Sequence, residues 1–181
     1  LCRSSAASDV YKRQKFNGSW YNSLIGDLVI KTHFEFGFLS AYNKELGIPP
    51  FERFFVGGDG LSGYSLDGRE LISLRGYPNS SLSENDGSPI YGKYNMELRY
   101  PVSLNPSSTS YVLCFMEAGN SWNEMNKFNP FDVKRSAGMG IRIFMPMFGI
   151  LGVDFGHGFD NIPGYNVKSG WQTHFTIGQQ F

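Results

Sequence analysis

The sequence predicts an all-β protein: an antiparallel transmembrane β-barrel fragment of about seven strands, with one long loop folded inward. Three observations carry that expectation. Segment after segment alternates apolar and polar residues with a period of two, over about the ten residues a tilted strand needs to cross a bilayer. Aromatic residues make up 16% of the chain and glycines number 22, yet the mean hydropathy is only -0.27, as when half of every strand is polar. No window approaches the roughly 18 consecutive apolar residues of a membrane helix. A soluble antiparallel sheet with one wet face gives the same alternation in any single strand. Its repetition along the whole chain favours the barrel.

The last segment shows the pattern most clearly. Trp171, Thr173, Phe175, Ile177 and Phe181 share one parity, broken only by Gln179, and Gln172, His174, Thr176, Gly178 and Gln180 share the other. In residues 28–42, Ile30, Thr32, Phe34, Phe36 and Phe38 oppose Lys31, His33, Glu35 and Gly37. In 91–104, Tyr94, Met96, Leu98 and Tyr100 oppose Lys93, Asn95, Glu97 and Arg99. Residues 134–147 set Met139, Ile141 and Ile143 against Gly138, Gly140 and Arg142, and residues 150–159 set Val153 and Phe155 against Gly152 and Asp154. The expected lipid-facing stripe therefore includes Phe34, Phe36, Leu98, Met139, Ile141, Val153, Phe155, Phe175 and Ile177. Gly140, on the opposite face, is expected to tolerate serine.

Two segments are less regular. In 110–122, Tyr111, Leu113 and Phe115 share a parity with Glu117, and that face is read as inward, packed against something inside the barrel. Residues 15–22 read as the end of an earlier strand, with Phe16 and Trp20 on one side. Tight turns are expected at Asn105–Ser108 and Pro146–Gly149, and longer connections near 123–132 and 160–168. The outlier is a loop at about 43–89. Its Phe51, Phe54, Phe55, Leu61, Tyr64, Leu71, Ile72, Leu74 and Tyr77 are too apolar for a solvated tail, so it is expected to fold back onto the barrel.

Several function classes fall away. With 16 cations against 16 anions, nothing suggests a nucleic-acid surface. Cys2 and Cys114 lack zinc or disulfide-framework spacing. Gly58, Gly60 and Gly63 match a dinucleotide-binding fingerprint in letters, but Tyr64–Gly68 cannot start the helix that motif requires. His33, His157 and His174 sit on different strands without ligand spacing, and no nucleophile–base set or paired carboxylates stand out. Neither a catalytic residue, a metal nor a cofactor is expected. Residues 1–14 lack the features of a signal peptide and read as a non-native or artefactual leader, with the barrel portion at 15–181.

The long loop also carries a family resemblance. Leu74-Arg75-Gly76-Tyr77 resembles the [V/I]-R-G-[F/Y] lid-loop signature of BamA-type outer-membrane assembly factors, within the bacterial surface antigen superfamily. The run from Phe54 to Tyr64, with Gly57, Gly58, Gly60 and Gly63, is similar to the glycine-rich entry to that loop. The order of one strand, a long loop, and five strands ending on Phe181 fits as well. In that family the lid arginine pairs with acidic residues on the next two strands. The matching positions here are Glu97 and Glu117, both on parities already read as inward. The family often has Asp at the second position, one methylene shorter.

The resemblance implies an integral protein of the Gram-negative outer membrane that folds and inserts other barrel proteins. It implies outer-membrane lipid, unfolded barrel clients and accessory lipoproteins as partners. The last strand, with Trp171, Phe175, Ile177, Gly178 and Phe181, would form one side of a weak seam that templates an incoming strand. Complete members carry POTRA domains before a 16-strand barrel, so this chain would correspond to about the last seven strands. A two-partner secretion or translocation-assembly barrel of the same superfamily, or a soluble β-sandwich binding module, are the alternatives.

Overall fold

Seven alternating segments become seven long strands of one antiparallel sheet. The computed structural model describes residues 11–42, 47–59, 61, 69–105, 108–146, 149–165 and 167–178. The long strands are β1 (Tyr11–Ser23), β2 (Val29–Ala41), β5 (Ile90–Asn105), β6 (Ser108–Trp122), β7 (Lys134–Met145), β8 (Gly149–Asn161) and β9 (Lys168–Gly178). They pair in the order β1-β2-β5-β6-β7-β8-β9, so each lies beside the next long strand in the chain. The outer members, β1 and β9, are not paired to each other among the described residues.

The loop between β2 and β5 is more ordered than a plain loop. It holds a 3₁₀ turn at Pro50–Glu52 and a small parallel ladder of β3 (Phe54–Val56) with β4 (Glu70–Ile72). Strands of three residues are too short to show a period of two, which is why alternation alone misses them. The first strand also begins at Tyr11, upstream of the expected start at residue 15. Polar residues there conceal the strand, because Arg13 and Lys15 point towards the lid and are neutralised by Glu52 and Glu70. Residues 1–10, Gly60, Gly63 and Gln179–Phe181 lie outside the described residues.

The two faces of the sheet are inverted relative to a soluble protein. The face away from the lid exposes Met116, Met139, Ile141, Phe155, Phe175 and Ile177 on four adjacent strands. The lid-covered face buries Glu97, Glu117, Arg142, Asp154 and His174. Apolar area on this scale is costly in water and favourable against hydrocarbon, while an ionic interior needs internal partners. The apolar core lies between lid and sheet, where Phe54, Val56, Ile72, Leu74, Tyr77 and Leu82 pack with Leu39 and Tyr91 of the wall. Phe54 meets the Tyr91 ring edge-on at 4.5 Å. Full burial of side chains such as Phe54, Val56 and Leu74 stabilises the docked lid by about 1.5–3 kcal/mol each.

Candidate functional site

Each residue of the Arg75-Gly76-Tyr77 motif contacts the wall in a different way. Arg75 enters the sheet's inner face between β5, β6 and β8. Its Nη2 donates to Glu97 at 2.6 Å and to Glu117 at 2.7 Å, its Nε donates to Glu117 at 3.0 Å, and Nη1 reaches Asp154 at 3.3 Å. Its backbone N–H also donates to Glu117, at 2.7 Å. The guanidinium lies over the Phe115 ring, 3.8 Å from its centre, which gives this buried aromatic a role within the ionic part of the inner face. Only a planar fork can address three carboxylates and an aromatic face together. Burial by itself would push the guanidinium pKa down, but the charges of Glu117, Glu97 and Asp154 outweigh it and raise it.

Gly76 allows the lid backbone to touch the wall. Its φ is +86°, and a Cβ there would lie 2.7 Å from the Ser136 side chain. On the wall side, Gly156 is equally tight, since a Cβ on it would come within 2.8 Å of the Gly76 nitrogen. That close approach lets the Gly76 N–H donate to His174 Nε2 at 2.8 Å while Ser169 Oγ donates to the Gly76 carbonyl at 2.6 Å. Tyr77 is fully buried and its hydroxyl donates to the Arg135 carbonyl at 2.8 Å. Burial pushes the phenol up to about 12, so it remains a donor across the physiological range.

The carboxylates belong to a wider ionic network. Glu97 also accepts from Arg99 at 2.5 and 2.9 Å, and Lys93 stands 3.8 Å from Glu117. Asp154 forms a two-pronged pair with Arg142 at 2.7 and 2.5 Å, and neither side chain is exposed by more than 1%. Beside this network lies a polar cavity of about 480 Å³, lined in part by Lys31, Lys93, Arg142 and His174. Among the described residues, no group of three or more His, Cys, Asp and Glu side chains is arranged to hold a metal ion.

Two glycines of the loop entry, Gly57 and Gly58, have φ of +122° and +77°. A Cβ at Gly58 would lie 2.7 Å from Asn79 Cα, so the glycines close the lid upon itself. One expectation fails at Gly140. A Cβ there would sit 2.9 Å from the Val153 carbonyl and run into the Asp154 carboxylate, so serine would disturb the Arg142–Asp154 pair. On β9, Trp171, Phe175 and Ile177 are exposed on the outer face and Gly178 has φ +103°.

Asp154, Arg142, His174 and Asp59 escaped the sequence reading. For Asp154, Arg142 and His174 the available signal was inward parity, which assigns a face without naming the neighbour across it, whereas Asp59 lies in the lid, outside any strand.

A meander of seven strands, apolar outside and ionic inside, with a lid bolted to its inner face, defines a membrane β-barrel wall with an internal lid loop. The Omp85 superfamily domain matches residues 4–181, and the chain belongs to that superfamily, one of barrel insertases and transporters. Among solved structures it is similar to BamA from Haemophilus ducreyi lacking POTRA domains 1–3, with a TM-score of 0.64 and 18% identity. The match covers 96% of this chain and 36% of that one, and at such identity the likeness is one of fold. No curated protein matches the chain.

Proposed function

We propose that the chain is the C-terminal portion of a BamA-like barrel that folds and inserts β-barrel proteins into the Gram-negative outer membrane. The observation that carries this reading is the Arg75-Gly76-Tyr77 lid, held by Glu97, Glu117 and Asp154 beside an outer strand, β9, that has no strand partner on its far side among the described residues. The work is non-covalent. An unpaired edge offers backbone donors and acceptors to an incoming strand, and main-chain pairing needs no particular side chain, which suits clients of varied sequence. The locked lid supports the wall next to that edge while it opens. Outer-membrane lipid covers the apolar face, unfolded barrel proteins are the clients, and accessory lipoproteins complete the assembly.

The test is reconstitution of the parent protein in lipid vesicles with an unfolded barrel client. Folding faster than in empty vesicles, and slowed by Arg75→Ala, is the expected result. A parent protein that exports a secreted passenger but leaves client folding unchanged would place the chain among the secretion barrels instead.

A further inference from the structure

The lid also touches the backbone of the outer strand β9, through a residue other than those of the Arg75-Gly76-Tyr77 motif. Asp59, next to Gly58 in the glycine run, accepts the backbone N–H of Phe175 on β9 at 3.0 Å. Its side chain is 7% exposed. The Asp59 N–H donates to Asn79 Oδ1 at 3.0 Å and its Oδ1 accepts from Leu61 N–H at 2.9 Å, which fixes the rotamer. Gly58 forms a bridge with Leu74, so this carboxylate is mounted on the same lid ladder as Arg75. The Asp59 Oδ2 also lies 3.7 Å from His174 Nδ1. Because His174 Nε2 accepts from Gly76, the ring proton of a neutral His174 sits on Nδ1, facing Asp59.

The direction of the Phe175 N–H matters. In an antiparallel pair, residues alternate between those bonded to the neighbouring strand and those with both backbone groups turned away. Phe175 stands opposite Val153 of β8, yet its N–H goes to Asp59, so it belongs to the second set. Trp171, Thr173 and Ile177 have the same parity in an unbroken register and point the same way. They form the edge that a further strand would use, and one of its donors is already taken by a buried carboxylate.

We propose that Asp59 clasps the hydrogen-bonding edge of β9 at Phe175 and so sets where a partner strand pairs along that edge. The partner is an extended peptide held by main-chain bonds, and the inference rests on the seam reading above. A carbonyl approaching Phe175 meets an occupied donor and a negative charge, so pairing is interrupted there until the lid moves. The contacts run from Phe175 through Asp59, His174 and Gly76 to Arg75, which links the edge to the lid lock.

The test compares the 181-residue chain, refolded in detergent, with its Asp59→Ala and Asp59→Asn variants. Amide exchange is read at Thr173, Phe175 and Ile177, with and without a synthetic peptide copying residues 168–178. In the unaltered chain, Phe175 should exchange at least about tenfold more slowly than its two neighbours of like parity, and Asp59→Ala should bring it to their rate. The peptide should bind Asp59→Ala about tenfold more tightly and slow all three amides. Asp59→Asn keeps the acceptor and the fold without the charge, so Phe175 should stay slow and peptide affinity should fall between. Equal exchange of the three amides in the unaltered chain, or equal peptide affinity in all three forms, would overturn the clasp. A parent protein that inserts no clients while this exchange pattern holds would remove the insertase reading and leave the clasp standing.

Discussion

Arg75 and Glu117 are joined three times, through the arginine backbone N–H at 2.7 Å, Nε at 3.0 Å and Nη2 at 2.7 Å. A single carboxylate thus fixes both the main chain and the side chain of the lid at one point on β6. Position and charge are specified together, which a salt bridge between two flexible side chains cannot do.

Asp154 gives a prediction that the sequence did not. Asp154→Asn removes the charge opposite Arg142, which is fully buried, and weakens the third contact to Arg75. Breaking a buried pair from one side should cost about 3 kcal/mol, and Asp154→Asn with Arg142→Met should recover much of that. Urea unfolding in detergent micelles, followed by tryptophan fluorescence, measures both. A double variant no more stable than the single one would contradict a buried pair.

The outer face predicts a depth-dependent penalty. Ile141 is exposed on β7 between Val112 of β6 and Val153 of β8, in the middle of the apolar band. Ile141→Arg should lower stability in lipid by about 2–4 kcal/mol, whereas Thr176→Ser, on the inner face of β9, should change it little. Equal tolerance at the two positions in a folding assay in vesicles would argue against lipid contact.

How much of this was legible follows from what alternation encodes. A period of two assigns a face, so Glu97, Glu117, Leu113 and Phe115 were placed inward from the sequence alone, and all four are buried there. The pairing of Arg75 with Glu97 and Glu117 was expected from the family resemblance. Asp154 and Arg142 were equally inward, but they became partners of the lock only because the lid crosses the sheet where β8 passes, a tertiary fact. Asp59 was hidden among glycines that match an unrelated motif. Gly140 misled for the same reason: its face was known, but the Asp154 carboxylate beside it was not.

The chain by itself should not behave as a working barrel. Among the described residues, its outer strands β1 and β9 carry backbone groups without strand partners on their far sides. In hydrocarbon each such group costs several kcal/mol. The isolated 181-residue chain should therefore require detergent and leave client folding in vesicles at the rate of empty vesicles. Acceleration by this chain alone would mean that the rest of the barrel is dispensable.

The lid lock is tested most directly by a double-mutant cycle on Arg75 and Glu117, using Arg75→Ala, Glu117→Gln and their combination. Stability is measured by urea unfolding in micelles and lid opening by protease sensitivity. The geometry predicts that each single change loosens the lid and that the two couple by about 2–3 kcal/mol, because either one breaks the same buried contacts. Strictly additive effects, with the lid equally resistant to protease in every form, would contradict a lid held by this pair.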